Sequence, residues 1–268
     1  SIFTMVSRIF GYIRDAAIFI FISNSYGALD AFFVAFRIPN FFRRIFGEGA
    51  LSTAYIPILS DYKNKKSKEE TKDFIDSSIT TLTSLLIIIS IIGVLIAPIL
   101  IYIIAPGFVN SEFGQDELSS DLLRITFPYM LFICLTAVAG SILNTYENFS
   151  IPALTPVLLN IILIISVIFI SPYFQEPVFV LAWGLLFGGL VQLLFQLYPL
   201  IKMGLFPKFK LNKNHPGILK IKVLMLPVIF GSSVTQINLV FDTIIASFLI
   251  TGSISWLYMS DRFIELPL

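Results

Sequence analysis

Charged residues are scarce in this sequence. Asp, Glu, Lys and Arg make up 13% of its 268 residues, whereas 56% are hydrophobic and the mean hydropathy is +0.88. Soluble domains carry roughly a quarter charged residues, so a water-soluble enzyme is excluded. Long continuous apolar runs, such as residues 85–104, also differ from the alternating segments of about ten residues that form membrane barrels. We therefore predict an all-α fold, a polytopic transmembrane helical bundle.

Cysteine and histidine are nearly absent, with one residue of each. Cys134 lies in an apolar run and has no partner for an intramolecular disulfide, so we expect it to be a small packing residue. His215 alone indicates no site. The sequence also lacks a P-loop, an HExxH motif, paired Cys/His metal spacing and a GxSxG motif. We expect no catalysis, no cofactor, no metal site and no nucleic-acid partner.

Apolar runs and helix breakers divide the sequence into eight segments. Pro39, Gly47 and Gly49 interrupt the second, and the eighth is cut off by the end of the sequence. Because the sequence begins without methionine and stops in an apolar stretch, we expect it to belong to a longer protein. The segments cover residues 2–22, 28–59, 74–104, 122–146, 153–170, 178–201, 223–250 and 254 onward.

Lysine marks two loops. All eleven lysines lie within residues 63–72 and 202–222, which follow the second and sixth segments and so must lie on one side of the membrane. Residues 106–121 contain four acidic residues and no Lys or Arg, and they fall on the other side. The positive-inside rule then predicts a cytoplasmic N-terminus. The apolar residues among the lysines of 202–222 fit either an interfacial segment at an anionic leaflet or a solvated connector.

The first segment carries ionisable residues where they are costly. At 100° per residue, a face of about 120° contains Ser7, Arg8, Gly11, Arg14 and Asp15. Charged groups inside a membrane segment need a partner or water, so this pattern favours a helix that lines a hydrated cavity. The alternative, in which the arginines reach the headgroups, is less favoured because Arg14 lies more than three turns from the start of the helix.

The second segment repeats this pattern. Its polar residues are Asp30, Arg37, Asn40, Arg43, Arg44 and Glu48. Pro39 can bend the helix, so periodicity does not decide which of Arg43 and Arg44 faces inward. The planar guanidinium binds phosphate and carboxylate through two parallel hydrogen bonds. Several converging arginines therefore predict an anionic ligand, above all a phosphate or pyrophosphate.

The last two segments also carry polar residues within apolar runs. The seventh contains Gln236, Asn238 and Asp242, and the eighth contains Asp261, Arg262 and Glu265. Asp242 either couples transport to a proton or cation, or pairs with an arginine of a neighbouring helix. The stretch RDAAIFIFI from Arg14 resembles FDTIIASFL from Phe241 in its order of polar and apolar residues. This weak repeat suggests a six-helix unit. Gly184 and Gly188 form a GxxxG pair, which predicts close helix packing.

Five stretches of the sequence together resemble the MurJ (MviN) family of lipid II flippases, in the MOP exporter superfamily. The resemblance covers nearly the whole chain. The stretches begin at Ser7, Asp30, Ile125, Ile142 and Ser255 and read SRIFGYIRD, DAFFVAFRIPNFFRRIFGEGALSTAYIPIL, ITFPYM, ILNTYENFSIPALTPVLLN and SWLYMSDRFIELPL.

The resemblance implies a fourteen-helix MOP-type protein with two six-helix lobes around a central cavity. Residues 1–201 would form the N-terminal lobe, 202–222 a basic cytoplasmic connector, and 223–268 the first two helices of the second lobe. The family moves undecaprenyl-pyrophosphate-linked peptidoglycan precursor from the cytoplasmic to the periplasmic leaflet by alternating access. We accordingly expect a monomer in the bacterial inner membrane, in contact with membrane lipids and with a possible coupling cation or proton.

The resemblance also implies roles for single residues. The arginines that would bind the pyrophosphate are Arg14, Arg43 and Arg262, with Arg8 close by. Asp15, Asp30 and Glu48 would pair with these arginines or gate the cavity, and Asp242 remains the candidate for ion coupling. The alternatives are a related exporter of another lipid-linked oligosaccharide, of the O-antigen type, or of a drug. A cationic drug would favour an acidic cavity, and a membrane scaffold would not explain the arginines.

Overall fold

The computed structural model describes residues 2–22, 26–44, 51–111 and 113–265, and every regular element in these ranges is helical. Short 3₁₀ turns cover Pro106–Asn110 and Ser171–Tyr173, and a π-helical turn, Ser166–Ile170, extends α8. The helices are α1 Ile2–Ile22, α2 Tyr26–Phe42, α3 Leu51–Lys65, α4 Lys68–Leu95, α5 Ala97–Ile104, α6 Gln115–Thr126, α7 Tyr129–Thr145, α8 Ser150–Ile165, α9 Val178–Lys202, α10 Pro216–Ser247 and α11 Ser253–Glu265.

The prediction of the first segment is confirmed, since α1 has the expected bounds. The fourth predicted segment is confirmed as part of one candidate span, Gln115–Thr145, in which α6 and α7 meet at Pro128. The third predicted segment is interrupted at Ile96, where α4 and α5 meet. Proline lacks the backbone N–H that an uninterrupted helix needs, and Pro98 and Pro128 lie at these two breaks. The second segment divides into α2 and α3, and Gly47 and Gly49 lie outside the described residues.

Several helices are long and apolar enough to cross a membrane. Within the described residues there are four: α4, α6 joined to α7, α8 extended to Tyr173, and α9. The two parts of α10, bent by 46°, make a fifth if they count as one span. The outer face of α4 exposes Ile88, Ile91 and Leu95, as a lipid-facing helix does. The fold is that of a helical membrane protein.

The lysine clusters meet at one end of the bundle. Lys63 Nζ donates to the carbonyl of Thr145 at the end of α7, and Lys72 Nζ donates to the carbonyl of Phe206 in the 202–222 segment. The acidic segment lies at the opposite end, where Gln115 Nε2 donates to the carbonyl of Gly27. The predicted separation of lysine-rich and acidic loops is therefore confirmed, and we refer to these two ends as the lysine end and the acidic end. Residues 216–222 of the predicted connector are already helical, because α10 begins at Pro216.

The GxxxG pair brings α8 and α9 into close contact. A Cβ added at Gly188 would lie 2.5 Å from Leu159 Cδ1, and one added at Gly184 would lie 3.0 Å from Ser166 Oγ. A side chain at either position would force the neighbouring side chain of α8 or its π-helical extension to move, so the predicted close packing is confirmed. Cys134 is free and fully buried in the apolar core, as expected.

Candidate functional site

A cavity of about 930 Å³ lies between the helices of the lysine half of the bundle. On α1 it is lined from Ser7 to Asp15, whereas Ala17, Ile18 and Ile22 near the acidic end pack in the core. On α11 the lining residues begin only at Tyr258. The other walls come from α2, from α7 along most of its length, from the first half of α8 and from the second half of α9, with Ser52 of α3 and Leu239 of α10.

Arginine dominates the charge of this cavity. Of the seven arginines in the sequence, only Arg124 lies outside it. Among the described residues, two aspartates, Asp15 and Asp261, line the same space. The polar face predicted for α1 is confirmed, because all five of its residues are in the lining. The six arginines of the cavity are Arg8, Arg14, Arg37, Arg43, Arg44 and Arg262.

Arg14, Asp15, Tyr258 and Arg262 form a connected cluster between α1 and α11. Asp15 Oδ1 accepts hydrogen bonds from Arg14 Nε at 2.9 Å and Nη2 at 2.6 Å, and Asp15 Oδ2 lies 3.3 Å from Arg262 Nε. The Tyr258 hydroxyl accepts from Arg262 Nε and Nη2, each at 3.2 Å. The carboxylate thus partly offsets the repulsion between two arginines while the cavity side of the cluster stays cationic.

Asn160 of α8 completes the environment of Arg14. Its Oδ1 accepts from Arg14 Nη1 at 2.9 Å, and its Nδ2 donates to the carbonyl of Ser7 at 3.2 Å. The Arg14 guanidinium is therefore held by α1 and α8 together, with a side chain only 12% exposed. Preorganisation of this kind favours binding of an anion, because little rotamer freedom remains to be lost.

Both adjacent arginines at the end of α2 line the cavity. The helical periodicity did not decide which of Arg43 and Arg44 faces the cavity, and the family resemblance favoured Arg43 alone. The backbone winds as a π-turn at these two positions, which shifts consecutive side chains relative to an α-helix. Arg43 Nε donates to Asn40 Oδ1 at 3.0 Å. Arg37 also points to this space, and its buried Nη2 has no hydrogen-bond partner in the described structure.

Asp30 lies apart from the arginines, near the acidic end. Its Oδ2 accepts from the backbone N–H of Gly252 at 2.6 Å, and its Oδ1 accepts from that of Ser255 at 2.8 Å. It is 2% exposed and sits at the N-terminus of α11, where unpaired N–H groups and the helix dipole favour a carboxylate. We expected Asp30 to pair with an arginine or to gate the cavity. In the structure it accepts hydrogen bonds from the start of α11, at the acidic end of the bundle. Its two donors lie 222 and 225 residues away in sequence.

Asp242 and Glu48 are the remaining two predicted residues. Asp242 is exposed on α10 and is not part of the cavity wall. Glu48 lies outside the described residues.

Sequence reasoning missed several neutral residues of the site. Tyr258, Asn160, Gln192 and Gln196 all line the cavity. Tyr258 precedes Arg262 by one helical turn, and the others are polar residues within apolar runs, so both signals were present in the sequence. A search for charges alone passes over them.

The family model described as "Lipid II flippase MurJ" matches residues 25–268. A curated relative, the probable lipid II flippase MurJ of Vibrio cholerae, is 44% identical over 277 residues, which cover 100% of this chain and 52% of that protein. The chain spans about half the length of the curated relatives it matches.

Two solved structures share the fold. "Lipid II flippase MurJ, inward closed conformation" is 34% identical with a TM-score of 0.80, over 100% of this chain and 54% of the other. A MOP superfamily transporter from Pyrococcus furiosus is 20% identical with a TM-score of 0.66, over 88% of this chain and 51% of the other. The second likeness bears on the fold alone, and it supports the predicted MOP architecture.

Proposed function

The chain belongs to the MurJ family of lipid II flippases, and on this premise we propose that the whole protein moves lipid II across the bacterial inner membrane by alternating access. Lipid II is the peptidoglycan precursor carried on undecaprenyl pyrophosphate. The direction is from the cytoplasmic to the periplasmic leaflet, with the N-terminus and the lysine end in the cytoplasm. The part of the protein outside this chain would supply the second wall of the cavity.

The convergence of six arginines on one cavity carries this proposal. Arg14, Arg43 and Arg262 are proposed to hold the pyrophosphate, with Arg8 nearer the cavity mouth. Guanidinium groups bind phosphate oxygens bidentately and stay charged when water is excluded. The same charge disfavours a cationic drug, which would need an acidic cavity.

The conformation supports entry from the lysine end. The cavity occupies that half of the bundle, whereas at the acidic end Asp30 joins α2 to the start of α11, and Gly107 N donates to Ser247 Oγ at 3.1 Å. We infer that a bound pyrophosphate neutralises the arginines, which lowers the electrostatic cost of closing the cytoplasmic side. Breaking the acidic-end contacts would then open the cavity to the periplasm.

Complementation of a bacterium depleted of its own lipid II flippase tests the proposal. The full-length protein should restore growth and lipid II export, and R14A, R43A and R262A should each abolish export without loss of membrane insertion. Arg124→Ala is the matched control, because Arg124 pairs with Asp121 on an exposed surface outside the cavity. Full export by all three cavity variants would refute the arginine site. Failure of a well-inserted wild type would favour another lipid-linked glycan as the cargo.

A further inference from the structure

The α8–α9 wall of the cavity holds two glutamines with unused acceptors. Gln192 and Gln196 are one helical turn apart on α9, both line the cavity, and they are 2% and 3% exposed. The Oε1 atom of each is buried and has no hydrogen-bond partner among the described residues. Buried side-chain acceptors are normally paired, so two unpaired oxygens in one cavity wall require an explanation.

Thr155 of α8 holds both amides through hydrogen bonds to their Nε2 atoms. Gln192 Nε2 donates to the Thr155 carbonyl at 2.9 Å, and a carbonyl can only accept. The Thr155 hydroxyl donates to the Ile151 carbonyl at 2.8 Å and accepts from Gln196 Nε2, also at 2.8 Å. Flipping the Gln192 amide would place two acceptors against each other. In this arrangement both Oε1 atoms face away from Thr155.

Gly140 keeps space open beside one of these oxygens. It lines the cavity on α7, and a Cβ at this position would lie 3.2 Å from Gln196 Oε1. The two oxygens are covered from solvent in this conformation. The terminal torsion of glutamine has a broad energy minimum, so each amide could rotate within its hydrogen bond to Thr155 until Oε1 faces a ligand in the cavity.

The acceptors lie at a defined place relative to the arginines. Thr155 precedes Asn160, the partner of Arg14, by five residues on α8, which is about 7.5 Å along the helix axis. The glutamines therefore lie on the lysine-end side of Asn160 and of the Arg14 guanidinium that Asn160 holds. Acceptor oxygens disfavour an anion but bind hydroxyl and amide N–H groups. The glutamine wall therefore suits neutral donors, whereas Arg14 and Arg262 suit phosphate.

We propose that Gln192 and Gln196 form a headgroup subsite that accepts hydrogen bonds from hydroxyl or amide N–H groups of the glycopeptide joined to the pyrophosphate. This inference rests on the proposed function. It gives the glutamines a role in recognising the headgroup, whereas the arginines recognise the pyrophosphate that every such lipid carries.

Binding of two lipids to the full-length protein tests the subsite. The probes are undecaprenyl pyrophosphate, which has no headgroup, and lipid II. Gln192→Leu and Gln196→Leu should each weaken lipid II binding by roughly three- to tenfold, the value of one hydrogen bond. Neither should change binding of undecaprenyl pyrophosphate, whereas Arg14→Ala should weaken binding of both lipids.

Two further variants control for folding. Gln115→Leu removes a buried glutamine whose Nε2 also donates to a backbone carbonyl, that of Gly27, but which lies outside the cavity. It should leave binding of both lipids unchanged. Gly140→Ala keeps both glutamines and raises helix propensity. It should reduce lipid II binding selectively, because the added methyl group crowds Gln196 Oε1.

The outcomes separate the two proposals. Equal weakening of both lipids by the glutamine variants, or no weakening of lipid II, overturns the subsite and leaves the flippase proposal standing. Equal affinity of the wild type for both lipids also overturns the subsite alone. If the wild type binds neither lipid and Arg14→Ala changes nothing, the proposed function itself fails.

Discussion

Arg262 Nε on α11 lies 3.3 Å from Asp15 Oδ2 on α1, and the other oxygen of that carboxylate is bound by Arg14. One aspartate therefore joins two arginines from helices that lie far apart in the sequence. The pairing holds α1 against α11. Under the proposed function, a pyrophosphate bound by Arg14 and Arg262 would compete with Asp15 for the same guanidinium groups, which would link cargo binding to the contact between the two helices.

Asp15→Asn should destabilise the protein. The substitution removes the negative charge while Arg14, 12% exposed, stays largely buried. We expect the free energy of unfolding to fall by about 1–3 kcal/mol, the range for losing a hydrogen bond to a charged group. Thermal unfolding of the full-length protein in detergent measures the change.

Asp121→Asn is the matched control for this prediction. Asp121 Oδ1 accepts from Arg124 Nη1 at 2.6 Å, the same distance as in the Arg14–Asp15 pair, but its side chain is 45% exposed. An exposed pair contributes about 0–1 kcal/mol. If Asp15→Asn and Asp121→Asn lower the free energy of unfolding by the same amount, burial of the Arg14–Asp15 pair does not strengthen it.

Asp30→Ala should loosen the start of α11. Asp30 accepts from two backbone N–H groups there, and loss of such a cap costs about 0.5–2 kcal/mol. Ser255→Ala removes only the hydroxyl and keeps both backbone donors, so its effect should be smaller. Hydrogen exchange at the amides of Gly252 and Ser255 measures the loosening. Faster exchange in the serine variant than in the aspartate variant would contradict the capping role.

The sequence was sufficient for the polar face of α1 and insufficient for the end of α2. α1 contains no proline, and Gly11 between Arg8 and Arg14 does not break the helix, so the regular 100° spacing holds and the predicted face lines the cavity. At Arg43 and Arg44 the backbone winds as a π-turn, and a helical wheel does not apply there.

Long-range contacts account for what sequence reasoning missed. Asp30 meets Ser255 across 225 positions, and Gln192 and Gln196 meet Thr155 across 37 and 41 positions. No local pattern encodes these partners. Neutral amides within an apolar run also carry no charge that would mark them in the sequence. Once buried, they must form hydrogen bonds, because an unpaired polar group in the interior is costly.

Acidic pH should weaken the start of α10. His215 Nδ1 accepts from the backbone N–H of Gly217, which requires the neutral ring. Burial, aided by the charge of Lys210, lowers the pKa of His215 below its ordinary value of 6.5, although Asp73 at 3.7 Å opposes this shift. The rings of Tyr62 and Phe74 pack against the imidazole of His215, with ring centroids 5.7 and 5.6 Å away.

The sign of the pH effect follows from the lowered pKa. A histidine whose folded pKa is below the unfolded value stabilises the fold fully above about pH 6.5, and this contribution is lost as the pH falls through the folded pKa. Exchange protection of the Gly217 amide should therefore decrease in acid. His215→Asn caps the helix through an uncharged oxygen, so its protection should not vary with pH over this range. Identical pH profiles for wild type and variant would refute the prediction.

The segment between α9 and α10 is anchored to α4 through its backbone, and breaking this anchor should expose it to protease. Asp76 Oδ1 accepts from Lys208 N at 2.8 Å, and Thr80 Oγ1 accepts from Lys210 N at 3.0 Å. The combined variant Asp76→Asn and Thr80→Val removes the charge and the hydroxyl acceptor. Trypsin should then cleave after Lys208 and Lys210 about tenfold faster or more, because local opening becomes easier. Ser84→Ala is the control, since Ser84 Oγ donates only within α4, to the Thr80 carbonyl, at 2.9 Å. If the combined variant is cleaved no faster than this control, the contacts with α4 do not restrain the segment.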